Sequence, residues 1–245
     1  MNRYYGLIVS FIAGISTLIG YFFIYINGNK DNIISKSLAF SGGVMITLSF
    51  IDLIPSGIKN LSINNSFVYS IIYALVYVLI GYILSYLIER VLNKKDNLYK
   101  VGLVSMFGIM LHNIPEGIAT YVLSTINLKL GIMLSIAIIL HNIPEGICIA
   151  VPIYYSTNNK NKAILYTFIS GISEFIGAVL SMLILYKYIN IEIISILFSL
   201  IAGIMIYIGY NELIDTAKKY NNKNYKFYSL IGSLFIIIVE ILLKK

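Results

Sequence analysis

The sequence predicts an all-α integral membrane protein with eight transmembrane helices, and three observations predict it. The chain of 245 residues is 58% apolar and only 12% charged, where a soluble domain carries roughly 25% charged residues. Its mean hydropathy is +0.85. Its apolar residues form long runs separated by short connectors that hold most of the Asn, Lys and Asp. Crossing about 30 Å of hydrocarbon at about 1.5 Å per helical residue takes roughly 20 residues, which matches the length of those runs. A soluble globular fold is thereby excluded, and residues 1–245 read as a single transmembrane domain.

Taken in order, the runs are Tyr4 to Ile26, Ser37 to Ile58, Phe67 to Val91, Val101 to Thr125, Leu130 to Tyr155, Ala163 to Tyr188, Ile191 to Ile214 and Phe227 to Leu243. The first follows Arg3 but is too long for a secretory h-region and lacks a small-x-small cleavage site, so it reads as a helix. Eight crossings put both termini on one side. The loops after spans one, three, five and seven carry Lys30, Lys36, Arg90, Lys94, Lys95, Lys100, Lys160, Lys162, Lys218, Lys219, Lys223 and Lys226. The opposite side carries Arg3, Lys59, Lys129, Lys187, Lys244 and Lys245. That bias places the first set in the cytoplasm and both termini outside, with Arg3 pointing the other way. The net charge of +7 is therefore a topology signal of a multi-pass cell-membrane protein facing the lipid bilayer, and no nucleic-acid partner is implied. With one Cys, no intrachain disulfide can form.

The octapeptide LHNIPEGI occurs at Leu111 to Ile118 and again at Leu140 to Ile147, and it contains the only two histidines, His112 and His141. Each His lies eleven residues into its span, about 17 Å of rise and hence near the bilayer midplane. Four-residue and three-residue spacings put His112, Asn113 and Glu116 on one helix face, and His141, Asn142 and Glu145 on another. Pro115 and Pro144 predict interrupted helices with freed carbonyls at Leu111 and Leu140. Glu174 lies equally deep in the sixth span.

A lone midplane Asn or His is commonly helix-to-helix glue. Three midplane carboxylates without a Lys or Arg at their depth are harder to accommodate, costing on the order of 8 to 10 kcal/mol at roughly 2.5 to 3.5 each. A bound cation resolves that deficit. Imidazole, carboxylate and amide oxygen suit zinc, iron(II), manganese or cobalt, and the near absence of Cys argues against copper(I). Glu116 and Glu145 could bridge two ions, with Glu174 completing one side.

A fainter repeat aligns GVMITLSFIDLIP at 43–55 with GIMIYIGYNELID at 203–215 and sets Asp52 opposite Glu212. The two spans run in opposite directions, so spans one to three and six to eight would form inverted repeats around spans four and five, a transporter signature. Asp52 and Glu212 would then serve as carboxylate way stations at opposite ends of the path, against the plainer reading of interfacial acids.

These residues resemble the ZIP (ZRT/IRT-like) family of divalent-metal transporters, in particular its bacterial GufA- and ZupT-like branch. The resemblance rests on both HNIPEG motifs, on SGISE at Ser170 to Glu174, on GGVM ending at Met45, and on Asn211-Glu212. It implies an eight-helix fold with both termini outside and uptake of metal, zinc first, through a binuclear midplane centre. The ligands it implies are His112, Asn113, Glu116, His141, Asn142, Glu145 and Glu174, with Met45 as a thioether ligand and Asp52, Asn211 and Glu212 along the path. Zn2+ is then a substrate, with Fe2+, Mn2+, Co2+ and Cd2+ as further substrates; no cofactor is implied and a homodimer is allowed. Two departures stand out: Phe175 replaces the Pro that usually follows the sixth-span Glu, and Leu92 to Lys100 holds no His.

Several residues read as structural. Cys148 suits a small buried thiol, Glu240 a side chain snorkelling to the interface, and Lys218 to Lys226 a solvated loop. The competing function is an intramembrane metallohydrolase with a Glu as general base on a metal-bound water. It is disfavoured because HExxH is absent and seven candidate ligands exceed the three expected of a catalytic zinc.

Overall fold

The computed structural model describes residues 2–63, 65–92, 97–184, 190–221 and 223–243. Every regular element among them is helical. Among the described residues eight helical stretches are long and apolar enough to cross a membrane: Tyr4–Tyr25, Lys30–Leu61, Phe67–Val91, Leu98–Ile126, Leu128–Thr157, Lys160–Leu183, Glu192–Tyr220 and Tyr225–Leu243. Lys94, Lys95, Lys187, Lys244 and Lys245, the side chain of Arg3, and the predicted end of the sixth span at Tyr188 lie outside the description.

Asparagines in the connectors set several helix starts. The second span begins at Lys30 rather than Ser37, because the Asn29 side chain accepts a hydrogen bond from the Asn32 N–H at 3.1 Å and so caps a polar first turn. Asn127 caps the fifth span through the N–H groups of Lys129 and Leu130. Asn158, with φ at 50°, closes the fifth span, and Asn159 caps the sixth through the Lys162 N–H at 3.0 Å.

The interruptions expected at Pro115 and Pro144 do not occur. Both helices continue through these residues, and the fifth also through Pro152. An interior proline costs about 3 kcal/mol in an isolated helix, but membrane helices tolerate it where packing against neighbouring helices holds the chain; Ser41 of the second span donates to the Pro144 carbonyl at 2.7 Å, tying this part of the fifth helix to the second. The irregular geometry lies elsewhere. The first span tightens into a 3-10 helix over Ser16–Tyr25, while π-helical turns occupy Ser49–Leu53 and Ile208–Ile214. The two π turns contain Asp52 and Glu212.

Spans four and six pack together, as do one and five, two and eight, and three and seven. Glycine lets the inner pairs approach closely. A β-carbon at Gly117 would come within 1.8 Å of the Glu174 carbonyl oxygen, and one at Gly146 within 1.9 Å of the Thr17 carbonyl oxygen. The sixth helix passes unbroken through Phe175, whose ring meets Phe11 edge-on at 5.4 Å. One buried apolar cluster draws on every span but the third, whose Val78 packs against it. The third span exposes a broad apolar surface that includes Ile72, Leu75, Leu79 and Ile83.

Candidate metal centre

The close packing of spans four and five on spans six and one brings both HNIPEG motifs to one buried site. His112 Nε2 stands 3.2 Å from Glu116 Oε1 and 3.2 Å from Glu145 Oε1, so it contacts a carboxylate from each copy. His141 Nε2 stands 3.1 Å from Glu116 Oε1. The two imidazole centroids are 6.2 Å apart. One ligand atom each from His112, His141 and Glu145 lies within 4.8 Å of the others, close enough to converge on a single ion.

Burial makes this cluster expensive as it stands. His112, Asn113, Asn142, Glu145 and Glu174 are fully buried and Glu116 and His141 nearly so. Glu116 Oε2, both oxygens of Glu145 and Oε1 of Glu174 lack a hydrogen-bond partner, and the two approaches to His112 Nε2 lack hydrogen-bond alignment. A buried polar atom without a partner loses solvation it does not recover. Several such lone pairs facing one space are the donor set that a divalent cation satisfies.

The asparagines anchor the motifs to the flanking spans. Asn113 Nδ2 donates to the Ser170 carbonyl at 3.1 Å, and Asn142 Nδ2 to the Ala13 carbonyl at 2.9 Å. Asn142 also donates to Glu174 Oε2 at 3.0 Å, which ties Glu174 to the second copy. Each amide thereby turns an unpartnered Oδ1 free for a ligand role. Cys148 is buried and its thiol donates to the Glu145 carbonyl at 3.1 Å, a structural contact one turn along the same helix.

A cleft of about 50 Å³ opens onto this site and is lined by Asp52, Glu116, His141 and Glu240, with apolar walls that include Leu48, Leu53 and Phe198. Asp52 therefore shares a cavity with Glu116 and His141. Met45 is fully buried in the core, one turn before Leu48. Asn211 is not among the residues lining this cleft; it donates to the Tyr82 hydroxyl at 3.0 Å and the Tyr207 carbonyl at 3.3 Å. Glu212 is buried beside it in the π turn, near the contact of the Tyr207 hydroxyl with Glu89, which also pairs with Lys100.

Glu240 corrects the expectation of an interfacial snorkelling residue. It is 8% exposed and lines the cleft, because Gly232, Ile236 and Glu240, spaced by four, fall on the buried face of the last helix. That spacing was the signal available in the sequence.

The family profile described as "ZIP Zinc transporter" matches residues 2–97 and 93–240. The chain is 31% identical over 253 residues to zinc transporter ZupT of Streptococcus mutans, covering 96% of each chain. It is 32% identical over 264 residues to zinc transporter ZupT of Oceanobacillus iheyensis, covering 99% of this chain and 98% of the relative. To zinc transporter ZupT of Clostridium perfringens it is 44% identical over 150 residues, 61% of this chain and 53% of the relative.

Proposed function

Since the chain belongs to the ZIP zinc transporter family, we propose that it carries zinc into the cytoplasm through a two-ion centre at the middle of the cell membrane. It is a multi-pass membrane protein and a divalent-metal transporter, not an enzyme, so the hydrolase reading is set aside. The observation that carries the two-ion centre is the buried convergence of His112, His141, Glu116 and Glu145, with carboxylate oxygens that have no other partner.

In this reading Glu116 and Glu145 bridge two ions, His112 and His141 supply imidazole nitrogen, and Asn113 and Asn142 offer amide oxygen. Glu174 completes the side of the second copy through its contact with Asn142. Three carboxylates against two divalent ions leave a net charge of +1, and against one ion −1, so either loading is electrostatically tolerable. Met45 joins as a thioether ligand when the helices shift. Iron(II), manganese, cobalt and cadmium are competing substrates, since the donor set does not exclude them.

Spans one to three and six to eight act as inverted repeats around spans four and five. Three findings support this: Asp52 and Glu212 fall at aligned positions, each in a π turn. Span four packs on six where five packs on one. Span two packs on eight where seven packs on three. Asp52 and Glu212 with Asn211 then serve the outer and inner ends, with both termini outside. A second copy of the chain would find its broadest apolar face on the third span. An entering dication gains about 4.6 kcal/mol per 100 mV, at roughly 2.3 per charge, which drives uptake without a coupled pump.

Zinc flux into sealed proteoliposomes, with the other four metals as competitors, tests the proposal. Saturable zinc entry that the competitors reduce is expected. Absence of flux from metal-replete, folded protein would overturn it.

A further inference from the structure

Glu240 has no part in the centre described above, yet it is a buried acid on the last span facing the same cleft. Its position follows from how spans two and eight pack. Gly43 lies against the backbone of Ser229, and Thr47 Oγ1 contacts Ser233 Oγ at 2.8 Å. The two helices therefore run side by side in the same direction with a fixed register. Continuing that register by five residues from Thr47 reaches Asp52 on one helix and by seven from Ser233 reaches Glu240 on the other, levels about 3 Å apart at roughly 1.5 Å per residue. Both residues line the cleft of about 50 Å³.

The same cleft reaches the buried centre. Glu116 and His141 line it too, and Glu116, only 5% exposed, keeps an Oε2 that has no hydrogen-bond partner. The π turn at Ser49–Leu53 sets Asp52 on the cleft wall, and such turns frequently mark functional positions in membrane and soluble helices alike. Among the described lining residues there is no Lys or Arg. The cavity is thus lined by Asp52, Glu240 and Glu116, with apolar walls.

We propose that Glu240 and Asp52 together form a capture station for a divalent cation on the outer side, from which the ion passes to Glu116 and His141. The proposal rests on the transport reading and adds a site and a residue to it. The chemistry separates the two sites. Two carboxylates give an oxygen-only site that holds a partly hydrated dication weakly, whereas the midplane centre adds imidazole nitrogen and binds zinc more firmly. Transfer from one to the other is then downhill, and a station of this kind raises the rate of loading at low metal concentration without changing how many ions the centre holds.

The test is zinc uptake by the full chain in proteoliposomes, with KM and maximal rate measured separately for wild type, Glu240→Gln, Glu240→Asp and Asp52→Asn. Glu240→Gln is expected to raise KM about tenfold and to leave the number of ions held at the midplane unchanged. Glu240→Asp should recover most of the loss, and the Glu240→Gln, Asp52→Asn double variant should be little worse than either single one, as for two residues serving one ion. Glu240→Cys should react with a membrane-impermeant thiol reagent from the outside only, and zinc should slow the reaction; buried Cys148, the sole native cysteine, supplies an unreactive background. Wild-type flux with an unchanged KM in folded Glu240→Gln, or a Glu240→Cys that zinc does not protect, overturns the capture station alone. Absence of wild-type flux overturns the transport reading and the station with it.

Discussion

The two HNIPEG copies are identical in sequence and unequal in place. In the first copy His112 is fully buried and stands within 3.2 Å of both Glu116 and Glu145, whereas His141 of the second copy meets only Glu116 and borders the open cleft. Both asparagines bond a carbonyl of the flanking span, Asn113 that of Ser170 and Asn142 that of Ala13. Four residues beyond those carbonyls the symmetry ends. Glu174 follows Ser170 and bonds Asn142, while Thr17 follows Ala13 and its buried hydroxyl has no partner. The repeat therefore gives both copies the same side chains, and the flanking spans decide what each copy's side chains meet.

Substitutions at the two copies test how alike they are. Alanine at Gly117 or at Gly146 should disrupt the centre in both copies, because the added β-carbon meets backbone at under 2 Å and neither helix can yield without moving the motif. A loss of roughly 1 to 3 kcal/mol or more in stability is expected, read as a lower temperature of unfolding in detergent. If only one of the two variants is unstable, the two interfaces are less alike than their packing indicates.

A smaller and more telling contrast is His112→Ala against His141→Ala. Both should weaken zinc binding, with His112→Ala about tenfold worse, since it removes a nitrogen facing two carboxylates; calorimetric titration checks the order. Next is Glu174→Gln, which keeps a hydrogen-bond acceptor for Asn142 and removes the charge. Bound zinc should fall from two ions per chain toward one. Saturation of wild type at one ion, unchanged in the variant, removes the two-ion reading.

The smallest effect belongs to Thr17→Val. Removing a buried hydroxyl with no partner should leave stability unchanged or raise it by about 1 kcal/mol, with zinc uptake preserved. A clear loss of uptake would instead make Thr17 the first-span counterpart of Glu174 as a ligand.

Much of this was legible in the residues themselves. The repeated octapeptide carries its chemistry at helical spacing, and the depth of Glu174 follows from counting along its span. Other features depend on partners that a linear reading does not supply. Pro115 and Pro144 leave their helices intact within a bundle that packs them on every side, which a linear reading does not show. The start of the second span at Lys30 was hidden by a polar first turn whose cap is Asn29. Glu240 looked interfacial because it lies near the chain end, and only the packing of the last span on the second brings it to the cleft that Asp52 lines. Likewise the 3-10 geometry of Ser16–Tyr25, which carries Thr17 and Gly20 along one edge against the fifth span, has no local signal.

The central claim is that the midplane histidines and glutamates carry the cargo. Glu116 is the carboxylate that stands beside both imidazoles, and Glu116→Gln preserves its shape while removing its charge. The most direct measurement is zinc entry into sealed proteoliposomes under an inside-negative voltage, comparing wild type with Glu116→Gln at equal amounts of folded protein. The account predicts voltage-driven entry in wild type and its loss in the variant; equal entry in both would contradict it.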